Sequence, residues 1–68
     1  MMEIYSFDTI NDYHVVVEPL NDGSFEALIY KIDPRNPDDW KSFKDPETAR
    51  NWGLMLAKKG GQHDEYKP

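Results

Sequence analysis

Two runs rich in β-branched and aromatic residues flank one tight-turn signal, and that arrangement constrains the fold more than any other feature of the chain. Tyr13-His14-Val15-Val16-Val17-Glu18 leads through Pro19-Leu20 into Asn21-Asp22-Gly23-Ser24, and Phe25-Glu26-Ala27-Leu28-Ile29-Tyr30-Lys31-Ile32 follows. Asp-Gly between such runs predicts a hairpin, because a type I′ turn needs positive φ at both central positions. With Asp22-Gly23 at those positions, Val17 faces Leu28, Val15 faces Tyr30 and Tyr13 faces Ile32. Strand alternation then gathers all six on one sheet face. The other face carries His14, Val16, Glu18, Phe25, Ala27 and Ile29, with Ile4 beside them.

Glu3 to Thr9 reads as a shorter strand before the hairpin, with Asn11-Asp12 marking the turn. A three-residue loop there sets Phe7 beside Val15 and Tyr5 beside Val17, extending the apolar face. A two-residue loop would send Ile4, Ser6 and Asp8 to that face, so the longer loop is expected. After the hairpin, Asp33-Pro34-Arg35-Asn36-Pro37-Asp38-Asp39 is an exposed loop, since two prolines fix φ and remove donors. Trp40-Lys41-Ser42-Phe43-Lys44 fits a short edge strand whose lysines discourage unwanted pairing.

Asp45-Pro46-Glu47-Thr48 is a helix start: a capping carboxylate, a proline where no N–H is needed, and an acid at the positive dipole end. The helix is expected to run to about Lys59 and to stop at Gly60-Gly61. Ala49, Trp52, Gly53 and Leu56 share one stripe, and Leu54 points away from it. Glycine costs about 1 kcal/mol relative to alanine inside a helix, so Gly53 signals a close approach of helix to sheet. The sequence therefore predicts an α+β fold, an antiparallel β-meander of three to four strands with one C-terminal α-helix packed on one face. Residues 1–61 form this single domain, and 62–68 are expected to be a flexible, polar tail.

Composition matters here because the domain is small. A chain of 68 residues with 38% hydrophobic side chains has little core, and with no cysteine it has no disulfide or thiolate metal site to reinforce it. Aromatic packing or self-association must supply the remainder. The formal charge of −5 and pI of about 4.7 argue against binding a phosphate backbone or an anionic membrane. No apolar stretch approaches the roughly 20 residues of a spanning helix, and residues 1–10 lack the pattern of a signal peptide. A cytoplasmic protein is the expectation.

Catalytic chemistry finds no footing in the residues. His14 lies in a strand and His63 in the tail, and neither has a Ser or carboxylate at a spacing that would make it a general base. Ser6, Ser24 and Ser42 lack a nucleophile-elbow context. Asp33, Asp38 and Asp39 do not follow the alternating spacing of a calcium loop, so no metal and no other cofactor is expected. Gly60-Gly61 ends a helix instead of opening one, so it caps and does not cradle phosphate. The aromatics Tyr5, Phe7, Tyr13, Phe25, Tyr30, Trp40, Phe43 and Trp52 could stack bases, but they lack an accompanying basic groove, and core packing is the better reading.

Two surfaces remain as candidates. Trp40 follows the acidic loop, and a partly exposed tryptophan is a preferred interface anchor, so Asp33, Asp38, Asp39 and Trp40 form one candidate partner-binding patch. The second is the sheet face that one helix cannot cover, with His14, Val16, Phe25 and Ile29.

The segments Val15-Val16-Val17-Glu18-Pro19, Asp22-Gly23-Ser24-Phe25-Glu26-Ala27 and Phe43-Lys44-Asp45-Pro46-Glu47-Thr48-Ala49 together resemble two groups of small proteins. One is the N-terminal domain of HicB-type antitoxins, although the Pro-Gly-Cys segment usual there is missing. The other is the small, acidic, phage-encoded anti-CRISPR proteins. The resemblance covers Glu3 to Gly61 and carries a strand-turn-strand-helix pattern, not a chemical motif. It implies a non-catalytic binding protein. The leading expectation is an inhibitor that covers a basic, nucleic-acid-binding surface on a larger protein, its carboxylates standing in for phosphates. The alternative is an antitoxin-like or accessory homodimer, and the third is a single-strand nucleic-acid binder.

Overall fold

A computed structural model describes residues 4–60 of the chain. Four strands, β1 (Ser6–Ile10), β2 (Tyr13–Pro19), β3 (Phe25–Tyr30) and β4 (Asp39–Phe43), form one antiparallel sheet in the order β1-β2-β3-β4. A single helix, α1 (Pro46–Lys58), packs on one face. The α+β meander with a C-terminal helix is as the sequence predicts, and β4 is indeed an edge. The first strand is shorter than expected, and its first residue, Glu3, lies outside the described residues, as does the tail.

Register is where the structure departs from expectation, and the two turns explain it. The β2–β3 loop is not a two-residue turn at Asp22-Gly23. Leu20 and Ser24 pair across a three-residue loop, with Leu20 N–H donating to Ser24 O at 2.8 Å and Gly23 N–H to Leu20 O at 3.1 Å. Only Gly23 takes positive φ, at 89°, while Asp22 stays in the ordinary region. A type I turn closed by a left-handed glycine meets that requirement, and a type I′ turn does not. Asp22 then caps the loop, its carboxylate accepting from Ser24 N–H at 2.9 Å and from the Ser24 hydroxyl at 2.5 Å.

The β1–β2 connection does the reverse. Asn11 and Asp12 have φ of 51° and 70°, so the two-residue primed turn forms there without a glycine. Asn and Asp tolerate the left-handed region better than other side chains, and Asn11 also reaches the Ala57 carbonyl at 3.4 Å. The three-residue loop expected at this site is therefore corrected to two.

Both turns shift the pairing by one residue. Val15 faces Asp8 and Ile29, and Val17 faces Ser6 and Ala27. The helix-side face is thus built from Val15, Val17, Ala27 and Ile29, all fully buried, against Ala49, Leu56 and Ala57. Full burial contributes about 1.5–3 kcal/mol for each Val or Ile side chain. Trp52 lies between two halves of this core, touching the Val15–Ile29 cluster and the Val17–Ala27 cluster, with Phe43 at a ring separation of 5.7 Å. Leu54 is corrected too: it packs on the Val15–Ile29 cluster instead of pointing away.

The helix begins as expected. Asp45 accepts from Thr48 N–H at 2.8 Å and from its hydroxyl at 3.0 Å, Pro46 occupies the first turn, and Gly60 takes φ of 81° past the end. Gly53 sits over Val15. No helix among the described residues is long and apolar enough to cross a membrane.

Candidate interaction face of the sheet

The shifted register decides which side chains the uncovered face presents. Alternation sends Phe7, Val16, Leu28 and Trp40 to the side away from α1. These four are direct cross-strand neighbours, Phe7 to Val16, Val16 to Leu28 and Leu28 to Trp40. They make one apolar row that crosses every strand of the sheet. Val16 is 4% exposed at its centre, while Phe7 and Trp40 at the two edges are 54% and 58% exposed. Each edge of the sheet therefore lifts a large aromatic ring beside a buried Val16 and a half-buried Leu28.

Two further rows flank it. On one side His14 stands between Thr9 and Tyr30. Its ring lies 5.1 Å from Tyr30 and 5.6 Å from Phe7, and its Nδ1 is 3.0 Å from the Thr9 hydroxyl. On the other side Glu18 faces Glu26, with Ser42 next to Glu26. Like charges directly opposite on neighbouring strands destabilise a sheet. Among the described residues no salt bridge reaches either carboxylate.

Of the residues expected on this face, His14, Val16 and Glu18 are there. Phe25 and Ile29 are not: Ile29 is fully buried under the helix, and Phe25 packs on the Val17–Ala27 cluster and edge-on to Tyr5 at 6.0 Å. The one-residue register shift moves both, because every side chain changes face when pairing slips by one. Phe7, Leu28 and Tyr30, expected toward the helix, are the residues that the outer face holds instead. Turn composition does not separate the two loops, since Asn11-Asp12 makes the primed turn with no glycine and Asp22-Gly23 does not make one.

The acidic loop does not form one patch. Asp39 pairs opposite Ile29, so alternation turns it to the helix side while Trp40 turns outward. Asp33 is occupied locally, accepting from Arg35 N–H at 3.0 Å and Nε at 3.2 Å. Asp38 donates its backbone N–H to Ile29 O and lines an open depression with Lys31, Ile32, Asp33 and Asn36. Only Trp40 of the four joins the outer face. Among the described residues no group of three acidic or histidine side chains is placed to hold a metal ion.

One polar contact escaped the sequence reading. Arg50 of α1 grips Asp8 of β1 with two bonds, Nε–Oδ2 at 2.9 Å and Nη2–Oδ1 at 3.1 Å. Asp8 holds the Arg50 pKa above its ordinary value, through the hydrogen bond first and the charge second. Close by, the Tyr5 hydroxyl donates to Glu47, and this bond raises the phenol's pKa. These pairs tie the edge strand to the helix and leave the outer face free of them.

Searches against family models, curated proteins and solved structures return no match.

Proposed function

We propose that the protein is a non-catalytic binding module that works by applying the outer face of its sheet to a larger protein. The observation that carries this reading is the apolar row Phe7–Val16–Leu28–Trp40, whose two end rings are more than half exposed. A core as small as this one has every reason to bury such rings, and leaving them in water is costly unless something covers them. Exposed tryptophan beside aliphatic neighbours is the composition of an interface anchor. An inhibitor of the phage-encoded kind that the sequence resembles would act in this way, by covering a surface rather than by chemistry. The antitoxin-like alternative uses the same face for a second copy.

The test is affinity capture from the source cell with the wild-type chain and a Phe7→Thr/Trp40→Thr variant, compared by quantitative mass spectrometry. Threonine keeps the strand preference while removing the rings. A partner retained by the wild type and lost by the variant supports the reading. Equal retention of every bound protein counts against it.

A further inference from the structure

The outer face carries a pair of like charges that no salt bridge among the described residues answers. Glu18 and Glu26 face one another across β2 and β3, half-buried, one row from Val16 and Leu28. Directly paired positions hold their Cβ atoms about 4.5–5.5 Å apart, and like charges so placed are destabilising. Nothing in the described residues forms a salt bridge with either one. The chain as a whole adds to the same field with a net charge of −5.

Resting on the reading that this face is the binding surface, we propose that its occupant is a cationic segment of another protein. An arginine or lysine of that segment enters between Glu18 and Glu26, and apolar side chains beside it lie against Leu28, Phe7 and Trp40. The free face holds two like charges together, and a cation placed between them converts that repulsion into two charge-assisted hydrogen bonds. Aromatic walls at the edges suit the same ligand, because the stem of an arginine or lysine is apolar and its head is attracted to ring faces.

A second copy of the chain fits less well. It would bring another five negative charges to the contact. Nucleic acid fits worse, since its phosphates would meet the carboxylates directly.

The experiment pans a displayed library of randomised peptides against the intact chain and measures the enriched peptides by fluorescence anisotropy. The proteins compared are wild type, Glu18→Gln/Glu26→Gln, Phe7→Thr/Trp40→Thr, and Asp33→Asn/Asp38→Asn as a control of equal charge change. The expected binders carry Arg or Lys beside aromatic or aliphatic residues. Their affinity falls about tenfold or more on removal of the carboxylate pair and loses most of its salt dependence, as truncating one side of a charge pair does. The loop control stays within about twofold, the range of screened surface charges. A thermal melt of free Glu18→Gln/Glu26→Gln is expected at or above the wild-type midpoint, because the repulsion is gone.

Binders that need Phe7 and Trp40 but ignore the two glutamates overturn the cationic occupant and leave the binding face standing. Binders that ignore both sets, or a library that yields none, overturn both. A solution mass that doubles with concentration and returns to monomer in Phe7→Thr/Trp40→Thr assigns the face to a second copy and overturns the proposal. Tight binding of a thymidine oligonucleotide at the face does so in favour of nucleic acid. A lowered melting midpoint for the double glutamine variant also contradicts it, by showing that the pair is satisfied within the chain.

Discussion

A Cβ built on Gly53 would stand 2.4 Å from Cγ1 of Val15, nearer than two such atoms can pack. The helix therefore rests on β2 at a distance that only a hydrogen atom at position 53 permits. Val15 lies on β2, an inner strand of the sheet, and it is fully buried with Ile29, Leu56 and Ala57 around it. One small residue in α1 thus sets the spacing between the two layers, and through it the burial of the whole core.

Gly53→Ala is the first prediction. In an open helix that change gains about 1 kcal/mol, but here the added methyl overpacks the core, which costs about 1–3 kcal/mol. A net loss is expected in urea denaturation. Gly53→Ala combined with Val15→Ala should be more stable than the sum of the two single changes predicts, by about 1 kcal/mol, because the second opens room for the first. Strict additivity would mean that the layers separate freely.

The Asn11-Asp12 turn gives a prediction of opposite sign. Asp12 holds φ of 70°, a region that glycine enters at no steric cost. Asp12→Gly should stabilise the protein by roughly 0.5 kcal/mol, raising its melting midpoint by a few degrees. Asn11 is the wrong choice for the same change, since its side chain bonds the Ala57 carbonyl.

Asp22 predicts a pH effect. Its carboxyl is held below the ordinary value by the Ser24 hydroxyl, then by the Ser24 N–H. A lowered folded-state pKa gives stability that is fully present above the unfolded value of 3.8 and is lost as pH falls through the folded one. Asp22→Ala should therefore be the less stable protein at pH 7 and lose less than wild type on acidification below about pH 4. Parallel acid limbs for the two proteins in urea melts would contradict the assignment.

Arg50 and Asp8 fasten the edge strand to the helix. The pair is partly exposed, so its loss in Arg50→Gln should lower stability only slightly, and less in high salt. Arg50→Lys should recover little of it, because an ammonium cannot reproduce the two parallel bonds. Hydrogen exchange in β1 would report the loosening directly, with Ser6–Ile10 amides faster in the variant.

The elements of the fold were legible in the sequence, and the pairing between them was not. Strand identity follows from runs such as Val15-Val16-Val17, and the helix start from Asp45-Pro46, because these signals are local. Register depends on which residues in a turn accept positive φ. Asp22-Gly23 looks like the primed turn and is not, while Asn11-Asp12 is one without any glycine. That single-residue error exchanged the two faces of β3, placing Ile29 outside and Leu28 and Tyr30 inside. The candidate face survived in its middle, at His14 and Val16, because β2 was assigned to the correct faces. Arg50–Asp8 was out of reach for the same reason, since Asp8 turns toward the helix only when the first loop has two residues.

The most direct test of the account is hydroxyl-radical footprinting of the chain in a lysate of its source cell, read against the purified chain. Phe7 and Trp40 mark the outer face, and Met55, 47% exposed on the helix, is the internal control. The account predicts that Phe7 and Trp40 lose most of their reactivity in the lysate while Met55 keeps its own. Protection of Met55 with Phe7 and Trp40 as reactive as in the purified protein would contradict it, and would move the binding surface to the helix.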